Sequence, residues 1–152
     1  MRYLIACLAA FAFCWIVARA CIQSVVIDEA DSYVLFAAAP WPDAQLYPAS
    51  GNHVLNSLGV WVVTRLFGLN ELTLRTPAII GAMLYILSAF YLCWLITERN
   101  LLKILLFVCL VYNPFVLDYL VAARGYSLAV GFLLQPLQLS LTRSCRSKRI
   151  DW

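Results

Sequence analysis

The 152-residue chain is 64% apolar and 12% charged, with a formal net charge of +3 and a mean hydropathy of +0.84. Soluble domains are about 45–50% apolar and about 25% charged, and a fold this small leaves too much surface in water to hide the excess. The balance argues against a soluble enzyme, a disordered tail or a disulfide-stapled secreted module and leaves an integral membrane protein, with the basic excess at one end reading as an orientation signal and not as a nucleic-acid footprint.

In chain order, the first apolar stretch covers about residues 3–27, long enough at about 1.5 Å per residue to cross a hydrocarbon layer of about 30 Å with tilt. Arg2, the apolar run Leu4 to Val17 and Ala18-Arg19-Ala20 also fit a cleaved secretory signal. The apolar residues that continue through Val25, Val26 and Ile27 favour an uncleaved anchor. Further spans are expected over about 77–97, 101–117 and 126–141. Gly81, Pro114, Gly131 and Pro136 do not veto them, because membrane helices tolerate both residue types. If the amino terminus is cytoplasmic, Arg2, Arg99, Lys103, Arg143, Arg146, Lys148 and Arg149 face the cytoplasm, against Arg65, Arg75 and Arg124 outside and Arg19 near the outer end of the first span. The short-loop lysine and arginine bias then predicts four crossings with both termini inside.

Residues 28–76 form the outer loop. Asp28-Glu29-Ala30-Asp31-Ser32-Tyr33 can continue as a short helix on which Asp28, Asp31 and Ser32 share a face. Pro40-Trp41-Pro42, Pro48, Ser50 and Gly51 break the chain. A second helix is expected over 52–67, with Val54, Leu55, Leu58, Trp61, Val62 and Leu66 on one side and Asn52, His53, Asn56 and Ser57 at its start. About sixteen residues is short for a crossing, so this helix is read as lying in the membrane interface. Acids just outside a span have a bland explanation, a solvated helix start on the side without the basic excess. Their functional alternative is a set of carboxylates able to reach a lipid phosphate, a metal ion or an acceptor hydroxyl.

Cys7, Cys14, Cys93 and Cys109 lie inside apolar runs, Cys21 near the end of one and Cys145 in the basic tail. They read as small hydrophobes on helix faces. None has zinc-ligand spacing near histidine, and the single histidine is His53.

Taken together, Asp28-Glu29-Ala30 with Tyr33, Asn52-His53-Val54-Leu55-Asn56, Arg65-Leu66-Phe67-Gly68, Glu71 and Leu74-Arg75-Thr76-Pro77 leading into Gly81 resemble the start of the GT-C membrane glycosyltransferases. Ala123-Arg124-Gly125-Tyr126 after the third span is similar to the same group. In style the match is to protein O-mannosyltransferases, lipid A aminoarabinose transferases and the bacterial lipopolysaccharide-sugar transferases beside them, over about residues 1–141. The resemblance implies an all-α polytopic membrane bundle of about four transmembrane helices, with two juxtamembrane helices in the first extracytoplasmic loop. It implies a polyprenyl-phosphate-linked sugar as donor, a hydroxyl on a lipid, glycan or protein as acceptor, and a place in a bacterial inner membrane. No nucleic acid is implied.

By the same resemblance Asp28 matches the loop-one acidic position, as base or acceptor-orienting group, and Glu29 its paired position, supporting Asp28 or a metal. The cofactor is left open, with a divalent metal compatible. Asn52 and His53 match the start of the second juxtamembrane helix as substrate contacts, the alternative for His53 being water. Arg124, beside Tyr126, matches a phosphate partner, the alternative being an interfacial anchor. Arg75 is expected on local backbone or Glu71, and Asp43 and Asp118 in solvent. The chemistry needs a carboxylate to accept the hydroxyl proton and cations or a metal to stabilise the leaving phosphate.

GT-C enzymes have many more spans. The basic ending Thr142 to Trp152 reads as a cytoplasmic tail flanking the last span, so a truncated, frameshifted or split gene product is expected, which leaves the activity of the chain alone open. The alternative is a small non-enzymatic membrane protein or accessory subunit. A transporter fragment would favour ionisable residues at mid-membrane depth, and Arg19, Lys103 and Asp118 all lie near expected span ends.

Overall fold

The computed structural model describes residues 2–40, 46 and 52–150, with side chains as far as 143. The described residues are helical, without strands. The elements are α1 (Arg2–Ile22), α2 (Ile27–Ser32) running into a π-helical turn (Tyr33–Ala37), α3 (Val54–Phe67), α4 (Glu71–Ile96), α5 (Asn100–Val111), α6 (Pro114–Val121) and α7 (Tyr126–Ile150). Asp43 and most of the expected chain-breaking stretch over 40–51 lie outside the described residues, as do the side chains of Cys145 and the basic residues after it.

Two helices, α1 and α4, are each long and apolar enough to cross a membrane. The pair α5 and α6, bent by 53° at its break, makes a third if taken as one span. This is consistent with a membrane protein but falls short of the four crossings expected. The expected span 101–117 is divided because Asn113 caps a new helix, its side chain accepting from the Phe115 N–H at 3.0 Å, and Pro114 takes the first helical position. The expected span 126–141 belongs to the longer α7, whose apolar run is interrupted by Gln135, Pro136 and Gln138.

Other boundaries shift for identifiable reasons. Helix α1 stops at Ile22, five residues early, where the Arg75 guanidinium takes the carbonyls of Ala20 and, just past the helix, Gln23. Helix α4 begins at Glu71, ahead of Pro77, because Asn70 and Thr73 cap each other: the Thr73 N–H donates to Asn70 Oδ1 at 2.8 Å and the Asn70 N–H to Thr73 Oγ1 at 2.9 Å. At 14 residues, α3 is about 21 Å long and too short to cross.

The main core joins Ile5, Ala12, Ile16 and Ala20 of α1 to Ala82, Tyr85, Ile86, Ala89 and Cys93 of α4, with Phe107 and Val111 of α5 and Leu120 and Val121 of α6. Helices α4 and α7 meet at backbone contact: a Cβ on Gly81 would lie 2.4 Å from the Leu128 nitrogen, and one on Gly131 2.8 Å from the Gly81 oxygen. Small residues at a crossing are how membrane helices approach closely. Further along the same pair, Gln138 Nε2 donates to the Ser88 carbonyl at 2.7 Å. Cys7, Cys14 and Cys21 face outward from α1, and every described cysteine is free.

Candidate functional site

The end of α1, α2, the starts of α3, α4 and α7 and the end of α6 converge at one end of the bundle. The centre of that junction is Glu29. Its carboxylate takes Arg75 Nε at 3.1 Å and NH2 at 2.6 Å, the Ala123 N–H at 2.7 Å and the Val26 N–H at 3.2 Å. Arg75 also donates to the carbonyls of Ala20, Gln23 and Ser24. Both side chains are 1% exposed. Burial pushes the Glu29 carboxyl up, but the Arg75 guanidinium and the two backbone N–H groups outweigh it and hold the group below its ordinary value of 4.5. Arg75 therefore reaches Glu29 and the segment around the end of α1, and not the local backbone or Glu71 as expected.

Asp28, one residue earlier on α2, turns to the other side. Its Oδ2 lies 2.9 Å from Arg124 NH1, with side chains 58% and 37% exposed. The two neighbouring carboxylates thus meet opposite environments. An exposed pair is worth about 0–1 kcal/mol, whereas breaking one partner of a buried pair costs about 3–5 kcal/mol. The Asp28–Arg124 pair is the one that can open.

Arg124 sits in the short turn between α6 and α7. The Ala123 N–H bound by Glu29 fixes that turn to α2, and the Ala123 carbonyl accepts from Asn56 Nδ2 at 3.0 Å, fixing it to α3. Gly125 adopts φ +77°, and a Cβ there would lie 2.5 Å from His53 Cβ, so only glycine lets the turn close on the start of α3. Around it the His53 ring lies 4.9 Å from the Tyr126 ring, Tyr119 lies 5.1 Å from Tyr126, and the Arg124 guanidinium is 5.8 Å from the Tyr126 ring centre. Burial, and then the Arg124 charge, hold the His53 imidazole below its ordinary 6.5. Asn52 turns inward, its Oδ1 accepting from Ser57 Oγ at 2.8 Å.

The structure thus groups Asp28, Arg124, Tyr126 and His53 at one ledge, with Asn52 beside them and Glu29 beneath. An apolar groove of about 230 Å³ shares the same tyrosine, being lined by Tyr85, Val116, Tyr119, Tyr126 and Val130. A second cavity, of about 220 Å³ and more polar, is lined in part by Arg19, Gln23, Arg75 and Asp118. There Asp118, expected in solvent, pairs with Arg19 at 2.7 Å while staying exposed. Among the described residues no three His, Cys, Asp or Glu side chains are grouped to hold a metal ion.

Sequence reasoning missed the Glu29–Arg75 pair, the backbone tie at Ala123 and the roles of Asn56 and Tyr119. Only Arg75 carried a usable signal: a cation in the first turns of a membrane-length helix requires a partner. Compared with known protein families, curated proteins and solved structures, the chain has no match.

Proposed function

We propose that this chain is a GT-C-like membrane glycosyltransferase, moving a sugar from a polyprenyl-phosphate donor to a hydroxyl acceptor at an extracytoplasmic ledge, with both termini cytoplasmic. The observation that carries the reading is the exposed Asp28–Arg124 pair beside His53 and Tyr126, the latter also lining an apolar groove. A lipid-linked donor needs that combination: a cation for the phosphate, a dry channel for the hydrocarbon next to it, aromatic faces for the sugar and a carboxylate for the acceptor.

In this reading the acceptor oxygen forms its bond to the anomeric carbon as the bond from that carbon to the phosphate oxygen breaks. The leaving phosphate keeps the electron pair, and Arg124 stabilises its charge. Asp28 takes the hydroxyl proton and later releases it to solvent. His53 and Asn52 contact the acceptor. Glu29, saturated by Arg75 and two backbone N–H groups, is a positioning residue beneath Asp28.

The test uses the full chain in proteoliposomes with radiolabelled hexosyl and pentosyl polyprenyl phosphates and hydroxylated lipid acceptors. Transfer is expected, and Asp28→Asn should lower it about 10²–10⁴-fold. No transfer by the unaltered chain, or transfer untouched by Asp28→Asn, refutes the reading. The alternative of a non-enzymatic membrane protein is favoured by one observation, that Asp28 and Glu29 both have cationic partners within the chain. It predicts an inert but stable protein in the same assay.

A further inference from the structure

Arg124 and Arg75 differ in how much of their bonding capacity is used. The Arg75 guanidinium is engaged on all three nitrogens. The Arg124 guanidinium has Asp28 at ion-pair distance from one nitrogen and the Tyr126 ring nearby, and among the described residues it makes no side-chain hydrogen bond. Its remaining N–H groups form the planar fork that matches two oxygens of a phosphate. A carboxylate that engages one nitrogen of an exposed guanidinium is a weak competitor for such a ligand.

The backbones on either side of the pair do not depend on it. Glu29 accepts the Ala123 N–H, Asn56 donates to the Ala123 carbonyl, and Gly125 packs on His53. Separating the Asp28 and Arg124 side chains therefore leaves α2 and the 122–125 turn in register. Building on the transferase reading, we propose that the Asp28–Arg124 pair is an exchangeable latch. The phosphate of a lipid phosphoester takes Arg124 and frees the Asp28 carboxylate into the site, while the Glu29–Arg75 pair stays shut and holds both backbones. The consequence is order: the proton acceptor becomes available only once the donor phosphate is seated.

Removing the competing carboxylate should then tighten phosphate binding, whereas an Asp28 that merely orients Arg124 would give weaker binding on removal. The full chain in phosphatidylcholine nanodiscs would be titrated with a polyprenyl monophosphate, with phosphatidylglycerol and with inorganic phosphate. The readout is the NMR signal of His53, the single imidazole in the chain, 4.9 Å from Tyr126. Asp28→Asn should tighten binding about fivefold, the amount expected for loss of a weak exposed pair. Asp31→Asn, which removes an exposed acid from the same short helix, controls for bulk charge and should change affinity less than about twofold. Arg124→Gln should abolish binding and Arg124→Lys should weaken it.

Equal or weaker binding by Asp28→Asn overturns the latch, as does equal tightening by Asp31→Asn or unchanged binding by Arg124→Gln. Phosphatidylglycerol or free phosphate binding as tightly as the polyprenyl monophosphate, with the same Asp28→Asn gain, supports the latch and assigns it to an ordinary headgroup or free anion. Latch behaviour without sugar transfer overturns the transferase reading alone. Sugar transfer with no Asp28→Asn effect on binding overturns the latch alone.

Discussion

Replacing Arg75 with methionine keeps an unbranched stem out to the position of Nε and removes the rest of the guanidinium with its charge and every donor. In the intact protein those donors satisfy both oxygens of a carboxylate that is 1% exposed and the carbonyls of Ala20 in the last turn of α1 and of Gln23 and Ser24 just after it. Leaving one member of a buried pair unpartnered costs about 3–5 kcal/mol. Each carbonyl left dry would add about 1–3 kcal/mol, but the polar cavity of about 220 Å³ against Arg75 admits water to this edge and offsets part of that loss. A net loss of about 4–5 kcal/mol is a large share of the about 5–15 kcal/mol that holds a typical domain together. At about 2–4 °C per kcal/mol for a chain of this size, the unfolding midpoint should fall by about 10–20 °C. The assay is thermal unfolding of the full chain in nanodiscs, followed by the emission of its 5 tryptophans. The double variant Glu29→Leu with Arg75→Met removes both charges and should recover a clear part of the loss, since no uncompensated ion remains. A midpoint within about 2 °C of the unaltered chain for Arg75→Met would show that the buried pair does not hold the junction. So would a double variant worse than the sum of its single variants.

Acid should act on the same pair. The Glu29 carboxyl titrates below its ordinary 4.5 in the folded chain, so its contribution is complete above about 4.5, the unfolded value, and is lost as the pH falls through the lower folded one. Midpoints measured from pH 7 downward should hold until about that point and then drop, and Glu29→Gln should flatten that acid limb. Gly81→Ala places a Cβ 2.4 Å from the Leu128 nitrogen and 2.5 Å from the Ser127 carbonyl carbon, backbone atoms that cannot move aside alone. A loss of about 1–3 kcal/mol is expected in the same melting experiment. Gly125→Ala combines a left-handed φ of +77° with a contact 2.5 Å from His53 Cβ. It should displace Arg124 and weaken polyprenyl-phosphate binding at least as much as Arg124→Lys, measured by the same His53 titration.

The helical class and the apolar character were legible because composition and long unbroken runs report them directly. So was the start of α3, where Asn52 and His53 precede the periodic residues Val54, Leu58 and Trp61. The break between α5 and α6 was legible in principle, since Asn113-Pro114 is a helix-start pair, but a proline tolerated inside membrane helices hides that signal. The start of α4 was misread for the converse reason: Pro77 looks like a beginning, while the capping pair Asn70 and Thr73 lies among residues that also read as a loop. Contacts distant in sequence left no periodic trace. Glu29 and Arg75 are separated by 46 positions and Glu29 and Ala123 by 94.

The candidate ledge follows from a single local fact, that successive helical residues point about 100° apart. Asp28 and Glu29 therefore take different cations, Arg124 and Arg75. One faces the junction of α1 and α4, where burial demands a full set of donors, and Arg75 and two backbone N–H groups supply them. The other faces the α6–α7 turn, where water screens it and one guanidinium nitrogen suffices. Because the Glu29 carboxylate also grips the Ala123 N–H, the buried acid sets the distance across which the exposed acid meets Arg124. Moving the acid pair one residue along α2 would leave one of the two places without its carboxylate. A swap variant, Asp28→Glu with Glu29→Asp, preserves charge and composition while shortening the buried side chain by one methylene. It should fail in the melting assay by more than Asp28→Glu alone, since a shorter acid at position 29 cannot span to both Arg75 and Ala123. If the swap melts like Asp28→Glu alone, the buried carboxylate is not what sets the ledge.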